Sequence, residues 1–118
     1  MKIQRFNAIP YSLPFKRPFK IAGHTFLCRE GIYVKIQYRN LIGFGEAAPL
    51  PRFSNENLQK VNYDLEAFHQ SISDDLDQEE ILSLIRIHTD ESPSARFALE
   101  TAFFDILSQI EKKSISKF

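Results

Sequence analysis

Chemistry needs polar side chains at set separations, and this sequence offers few such sets. Its three histidines, His24, His69 and His88, lie too far apart to match a metal-ligand spacing. Cys28 is the single cysteine, which excludes an internal disulfide and a Cys-based zinc site. Serines, histidines and acids are present, but no nucleophile elbow sets a serine up for attack. Gly43-Phe44-Gly45 lacks the third glycine and the following helix of a dinucleotide fingerprint, so these glycines read as sites of strand twist or close backbone packing. Asp74, Asp75 and Asp77 crowd together as cation ligands would, yet they lack the glycine and terminal Glu of a calcium loop and read as a solvated turn.

Glu46, beside a run of small residues at the end of a predicted strand, is expected to accept backbone hydrogen bonds. Arg96 is expected to serve an ion pair or an interface. His69 and His88 read as surface or half-buried packing residues. His24 differs because it falls in a predicted long loop, where ligand contacts concentrate. From these patterns no catalytic residue and no metal ligand is assigned.

The elements that would position such groups fall into two halves. Residues 1 to about 53 hold all four Gly and five of the six Pro and show strand periodicity. A first strand is predicted over about Ile3 to Leu13, marked by Pro10 as an edge or a bulge. Pro14 to Phe26 reads as a long loop, restricted by Pro14 and Pro18 and loosened by Gly23. Arg29 to Tyr38 alternates, with Ile32, Val34, Ile36 and Tyr38 on one face. Arg39-Asn40-Leu41 suits a tight turn, with Asn as the residue tolerant of a left-handed conformation, and Ile42 to Ala47 returns as a third strand.

From about 54 to 113 the pattern is helical. Ser54 is the expected first N-cap, and Leu58, Val61, Leu65, Phe68 and Ile72 form an apolar stripe. Asp77 caps a second helix with Ile81, Leu82, Leu84, Ile85 and Ile87 as its apolar set, and Glu79 and Glu80 sit where the dipole favours negative charge. A third helix starts after Ser92 with Pro93 at its first position. Its apolar face, Phe97, Leu99, Ala102, Phe103, Ile106, Leu107 and Ile110, is wide enough to meet neighbours on more than one side, and Lys112 and Lys113 complement its dipole. The expected class is α+β: an antiparallel meander of three strands followed by a bundle of about three helices, one domain over 1–118.

The 118 residues carry 15 Lys or Arg and 15 Asp or Glu, a balance that argues against nucleic acid or anionic membrane as a partner. No stretch approaches the ~20 apolar residues of a membrane span, and the N-terminus has no apolar signal run. A reduced, soluble, cytoplasmic protein is the expectation.

Three stretches carry a resemblance. They are Leu13-Pro14-Phe15 with Arg17-Pro18-Phe19; Ile42-Gly43-Phe44-Gly45-Glu46-Ala47-Ala48-Pro49-Leu50-Pro51; and Ser92-Pro93-Ser94-Ala95-Arg96-Phe97-Ala98-Leu99-Glu100-Thr101-Ala102, with Asp105 following. In that order they resemble the N-terminal capping domain of the enolase superfamily, in its muconate-lactonizing branch. Ala48-Pro49-Leu50-Pro51 with Phe53-Ser54 and Glu56, and Pro93-Ser94-Ala95-Arg96-Phe97, look most like the o-succinylbenzoate synthases of menaquinone biosynthesis. Dipeptide epimerases share much of the pattern, so an epimerase or cycloisomerase cap is the alternative, and a non-catalytic interaction module is the alternative of another class.

The resemblance implies a cap over a (β/α) barrel that is absent from this chain, with Phe118 about where the first barrel strand would begin. It implies that the barrel holds the magnesium and the lysine base, and that the cap by itself is inactive. It implies a substrate-specificity role for two loops, Phe19 to Phe26 and Leu50 to Phe53, which makes Phe19, His24, Arg52 and Phe53 the candidate contacts to a small carboxylate substrate. An apolar interface left uncovered in the isolated cap implies self-association. One departure stands at the end: Lys112 to Phe118 lacks the Gly-Pro-Leu run frequent at this junction.

Overall fold

The period-two alternation and the helical stripes resolve into one sheet with helices on one face. The computed structural model describes residues 1–21, 23–49 and 56–111. Three strands, β1 (Arg5–Ile21), β2 (His24–Tyr38) and β3 (Leu41–Ala47), precede three helices, α1 (Leu58–Ser71), α2 (Gln78–His88) and α3 (Pro93–Ile110). The sheet is antiparallel in the order β1-β2-β3, which is the expected meander.

The predicted loop from Pro14 to Phe26 is instead mostly strand. Pro14 pairs with Cys28, and five residues on, Phe19 pairs with Phe26, so β1 bulges outward between them. The prolines disturb the ladder without ending it because β1 is an edge strand, where a missing N–H need not break a pair. Pairing then resumes to Ile21–His24, and Gly23 takes φ 80° at the tip. In the second turn it is Arg39, not Asn40, that adopts the left-handed conformation, at φ 55°.

On the covered face, Phe6, Ile32, Val34, Ile36 and Ala47 meet Ala98, Leu99, Ala102, Phe103 and Ile106 of α3 in the core, with Val61, Leu65, Phe68, Ile81 and Ile85 from the other helices. α3 lies very close to β3. A Cβ on Gly43 would stand 2.1 Å from the Ala102 carbonyl oxygen, and one on Gly45 would stand 1.9 Å from that of Ala98. Close packing is therefore what these glycines provide. α3 also screens the free edge of β3: Asp105 accepts the Phe44 N–H at 3.1 Å and Gln109 donates to the Ile42 carbonyl at 2.7 Å.

Three residues expected in apolar faces, Ile87, Phe97 and Ile110, are exposed. Ile87 lies two positions past the buried Ile85 and so falls across the helix from it. Phe97 shares a four-residue row with Asp105 and Gln109 along the flank of α3 rather than its core face. The N-cap of α1 is Asn57, whose side chain accepts the Lys60 N–H; the expected cap, Ser54, lies outside the described residues, as do Lys112 and Lys113. Asp77 caps α2 in a reciprocal box with Glu80. Asp75 binds the Met1 ammonium at 2.6 Å, which holds its carboxyl below the usual carboxylate range. No helix among the described residues is long and apolar enough to cross a membrane.

Candidate functional site

The register of the β1–β2 hairpin brings two of the four candidate residues together. Paired residues of an antiparallel ladder share a face, as do alternate residues along one strand. Phe19 pairs with Phe26, and His24 lies two residues before Phe26, so Phe19, Phe26 and His24 stand on one face of the hairpin end. Phe19 is 45% exposed, and its ring lies 5.8 Å from that of Phe15. The other two candidates, Arg52 and Phe53, lie outside the described residues.

The chain on either side of 50–55 is held by part-buried polar contacts. Arg29 reaches across from β2 to donate to the Ala48 carbonyl at 2.8 Å. Glu56, only 5% exposed, accepts the Ser94 backbone N–H at 3.0 Å and the Ser94 hydroxyl. Ser92, the N-cap of α3, makes no side-chain capping bond; its hydroxyl donates instead to the buried Asp64 at 2.5 Å. Glu56 thus supplies the acceptor that the start of α3 needs, and its negative charge suits that end of the dipole. An open cleft of about 340 Å³ borders this point, lined by Glu46, Ala48, Pro93, Ser94 and Phe97.

Glu46 does not accept the backbone bonds expected of it. Its side chain is exposed on the outer face of the sheet and accepts the Tyr11 hydroxyl. Tyr11 lies over Gly31, where a Cβ would stand 2.5 Å from the phenol oxygen, and stacks on Tyr33 at 4.5 Å. Burial and the Glu46 bond push the Tyr11 phenol up to about 12. Arg96 donates to Thr89 at 3.4 Å across the corner between α2 and α3. His69 stacks on Phe6 at 4.8 Å, a packing role.

Sequence reasoning missed the parts played by Glu56 and Tyr11. Glu56 appeared only inside a motif, because its partner lies 38 positions away. Tyr11 left one readable signal: a glycine, Gly31, inside an otherwise well-patterned strand. Among the described residues no group of three or more His, Cys, Asp or Glu is placed to hold a metal ion.

Known proteins share this architecture. The sequence is 26% identical over 107 residues to the L-Ala-D/L-Glu epimerase of Bacteroides thetaiotaomicron, covering 90% of this chain and 28% of that protein. It is 37% identical over 60 residues to an o-succinylbenzoate synthase of Yersinia pestis, covering 51% of this chain and 19% of that one. Among solved structures, a mandelate racemase/muconate lactonizing protein from Herpetosiphon aurantiacus superposes with a TM-score of 0.79 at 27% identity, over 93% of this chain and 32% of that one. A dipeptide epimerase from Methylococcus capsulatus, complexed with Mg and the dipeptide L-Arg-D-Lys, superposes at 0.82 and 23% identity, over 94% and 32%. The chain thus spans about a third or less of these relatives, and its fold is that of their enolase-superfamily N-terminal domains. Residues 3–106 match the family described as MenC, N-terminal domain, and the chain belongs to that family.

Proposed function

We propose that this chain is the capping and substrate-specificity domain of an o-succinylbenzoate synthase. In this reading the parent enzyme dehydrates 2-succinyl-6-hydroxy-2,4-cyclohexadiene-1-carboxylate for menaquinone biosynthesis, and the chain alone is inactive. The family match over residues 3–106 carries the reading. Its barrel, the chain's main partner, supplies the base and holds magnesium, which stabilises negative charge developing on the substrate carboxylate.

This chain's own part is to close over the substrate and exclude water, which strengthens the electrostatics inside. Phe19 and His24 present one face of the hairpin for that purpose, and Arg52 and Phe53 are the proposed contacts from the second loop. Lys16, Arg17 and Lys20 stand in the same hairpin, and residues 1–29 contain no Asp or Glu. Such a field draws in a substrate that carries carboxylates.

A dipeptide epimerase cap is the second reading, favoured by the 26% identity that extends over 90% of the chain. A non-catalytic module is the reading of another class. The test is dehydration with magnesium, run on this chain and on the longest polypeptide its source makes from this sequence, beside an L-Ala-D-Glu epimerisation assay. Dehydration by the longer polypeptide alone supports the synthase. Epimerisation without dehydration moves the assignment to the second reading, and neither activity moves it to a module.

A further inference from the structure

Two surfaces away from the hairpin end are exposed among the described residues, and they are complementary. The first is the face of the sheet turned away from the helices. The ladder sets Asn7, Lys35 and Phe44 in one row and Ile9, Tyr33 and Glu46 in the next. Phe44 is 57% exposed, and Ile9 and Tyr33 are also exposed. Lys35 stands within this patch, between Asn7 and Phe44, and Arg5 lies at its edge in the next row, while its carboxylate, Glu46, accepts the Tyr11 hydroxyl.

The second surface is a groove of about 410 Å³ between α1 and the corner joining α2 to α3. Tyr63, 70% exposed, and Ile87, 68% exposed, provide its apolar lining. Asp64, Asp90 and Glu91 line it too, against Lys60, which is neutralised by Asp64 at 3.0 Å and Glu91 at 4.0 Å. The wider distribution agrees. Residues 1–29 carry six Lys or Arg and no acid, whereas residues 56–111 carry thirteen Asp or Glu against three Lys or Arg. The zero net charge therefore conceals a basic sheet half and an acidic helical half.

We propose that the open sheet face of one copy docks into the α1/α2-corner groove of a second copy, apolar patch on apolar patch, with Lys35 and Arg5 of the face meeting Asp90 and Glu91 of the groove. Exposed apolar patches of this kind mark contact sites, and complementary charge fixes which patch meets which. The contact is head-to-tail, so a pair keeps one unused surface of each kind, one on each copy, and assembly continues into a ring or a short filament. It does not depend on the function proposed above, because neither patch includes the hairpin end.

Sedimentation velocity of this chain over a range of concentrations tests it. Reversible association is expected at low salt, weakening at about 0.5 M salt, where the Debye length falls to a few ångströms. Lys35→Glu and Asp90→Lys should each weaken association at least about tenfold. Mixing the two variants should restore it, and so should combining both changes in one chain. A monomer at every concentration overturns the proposal. So does an unaltered association in Asp90→Lys, since a sheet-to-sheet contact would ignore that residue.

Discussion

The carboxylate of Glu56 caps a helix that begins 37 residues later in the chain: it takes both the N–H and the hydroxyl of Ser94, in the first turn of α3. The first described residue after 50–55 is thereby tied to the helix that packs along β3. Glu56→Ala should remove a buried, charge-assisted acceptor and cost about 2 kcal/mol of stability. Glu56→Gln, which keeps an acceptor without the charge, should lose less. Urea unfolding midpoints measure both. Loss of under ~0.5 kcal/mol in the alanine variant would show the bond to be worth no more than an ordinary surface contact.

The contact between β3 and α3 leaves no room for a methyl group. Gly45→Ala places a Cβ 1.9 Å from the Ala98 carbonyl oxygen, so helix and strand must separate. A cost of about 3 kcal/mol or more is expected, as overpacking against backbone cannot be relieved by a rotamer change. Gly23→Ala is the control: its Cβ meets nothing within 4 Å, and only the φ of 80° opposes it, for a cost of roughly 1 kcal/mol. Thermal unfolding of the two variants should rank them in that order.

These glycines also show what could be read in advance. Period-two alternation placed Ile32, Val34 and Ile36 on the buried face, and helical spacing placed Val61, Leu65 and Phe68 in the core, because burial and periodicity are local properties. Asp77 and Pro93 marked their helix starts for the same reason. The extended hairpin was not legible. Its prolines argued for a loop, and only the long-range ladder shows that an edge strand tolerates them. Phe19 and His24 were named as candidates, but that they share a face follows from a register set beyond the bulge. The bonds of Glu56 and Glu46 join residues 38 and 35 apart, and no local pattern encodes them.

Tyr11 makes the fold sensitive to alkali. Its phenol, ordinarily near 10, is pushed up to about 12 by burial and by the bond to Glu46. Below about pH 10 the folded and unfolded chains both keep the proton. Between roughly 10 and 12 the unfolded phenol has released it while the folded one still holds it, so stability falls as pH rises through that window. Absorbance titration of the four tyrosines should show one late step, which disappears in Tyr11→Phe. An unchanged profile in that variant would remove Tyr11 as the source.

The hairpin end gives a prediction that separates substrate contact from packing. Phe19 is 45% exposed and its described ring neighbour is Phe15, also on the hairpin, so little core contact is lost when it is truncated. Phe19→Ala should leave the stability of this chain within about 0.5 kcal/mol. In the proposed parent enzyme the same change should lower kcat/KM about tenfold, a loss of some 1.4 kcal/mol of transition-state binding, because a covering ring would no longer exclude water from the substrate. His24→Ala should act in the same direction through the same face. If Phe19 instead packs the cap against a barrel, the variant would loosen that interface. The parent's unfolding temperature would then fall along with its activity, while this chain alone would be unchanged. Unaltered kinetics with unaltered stability in both proteins would take Phe19 out of the site.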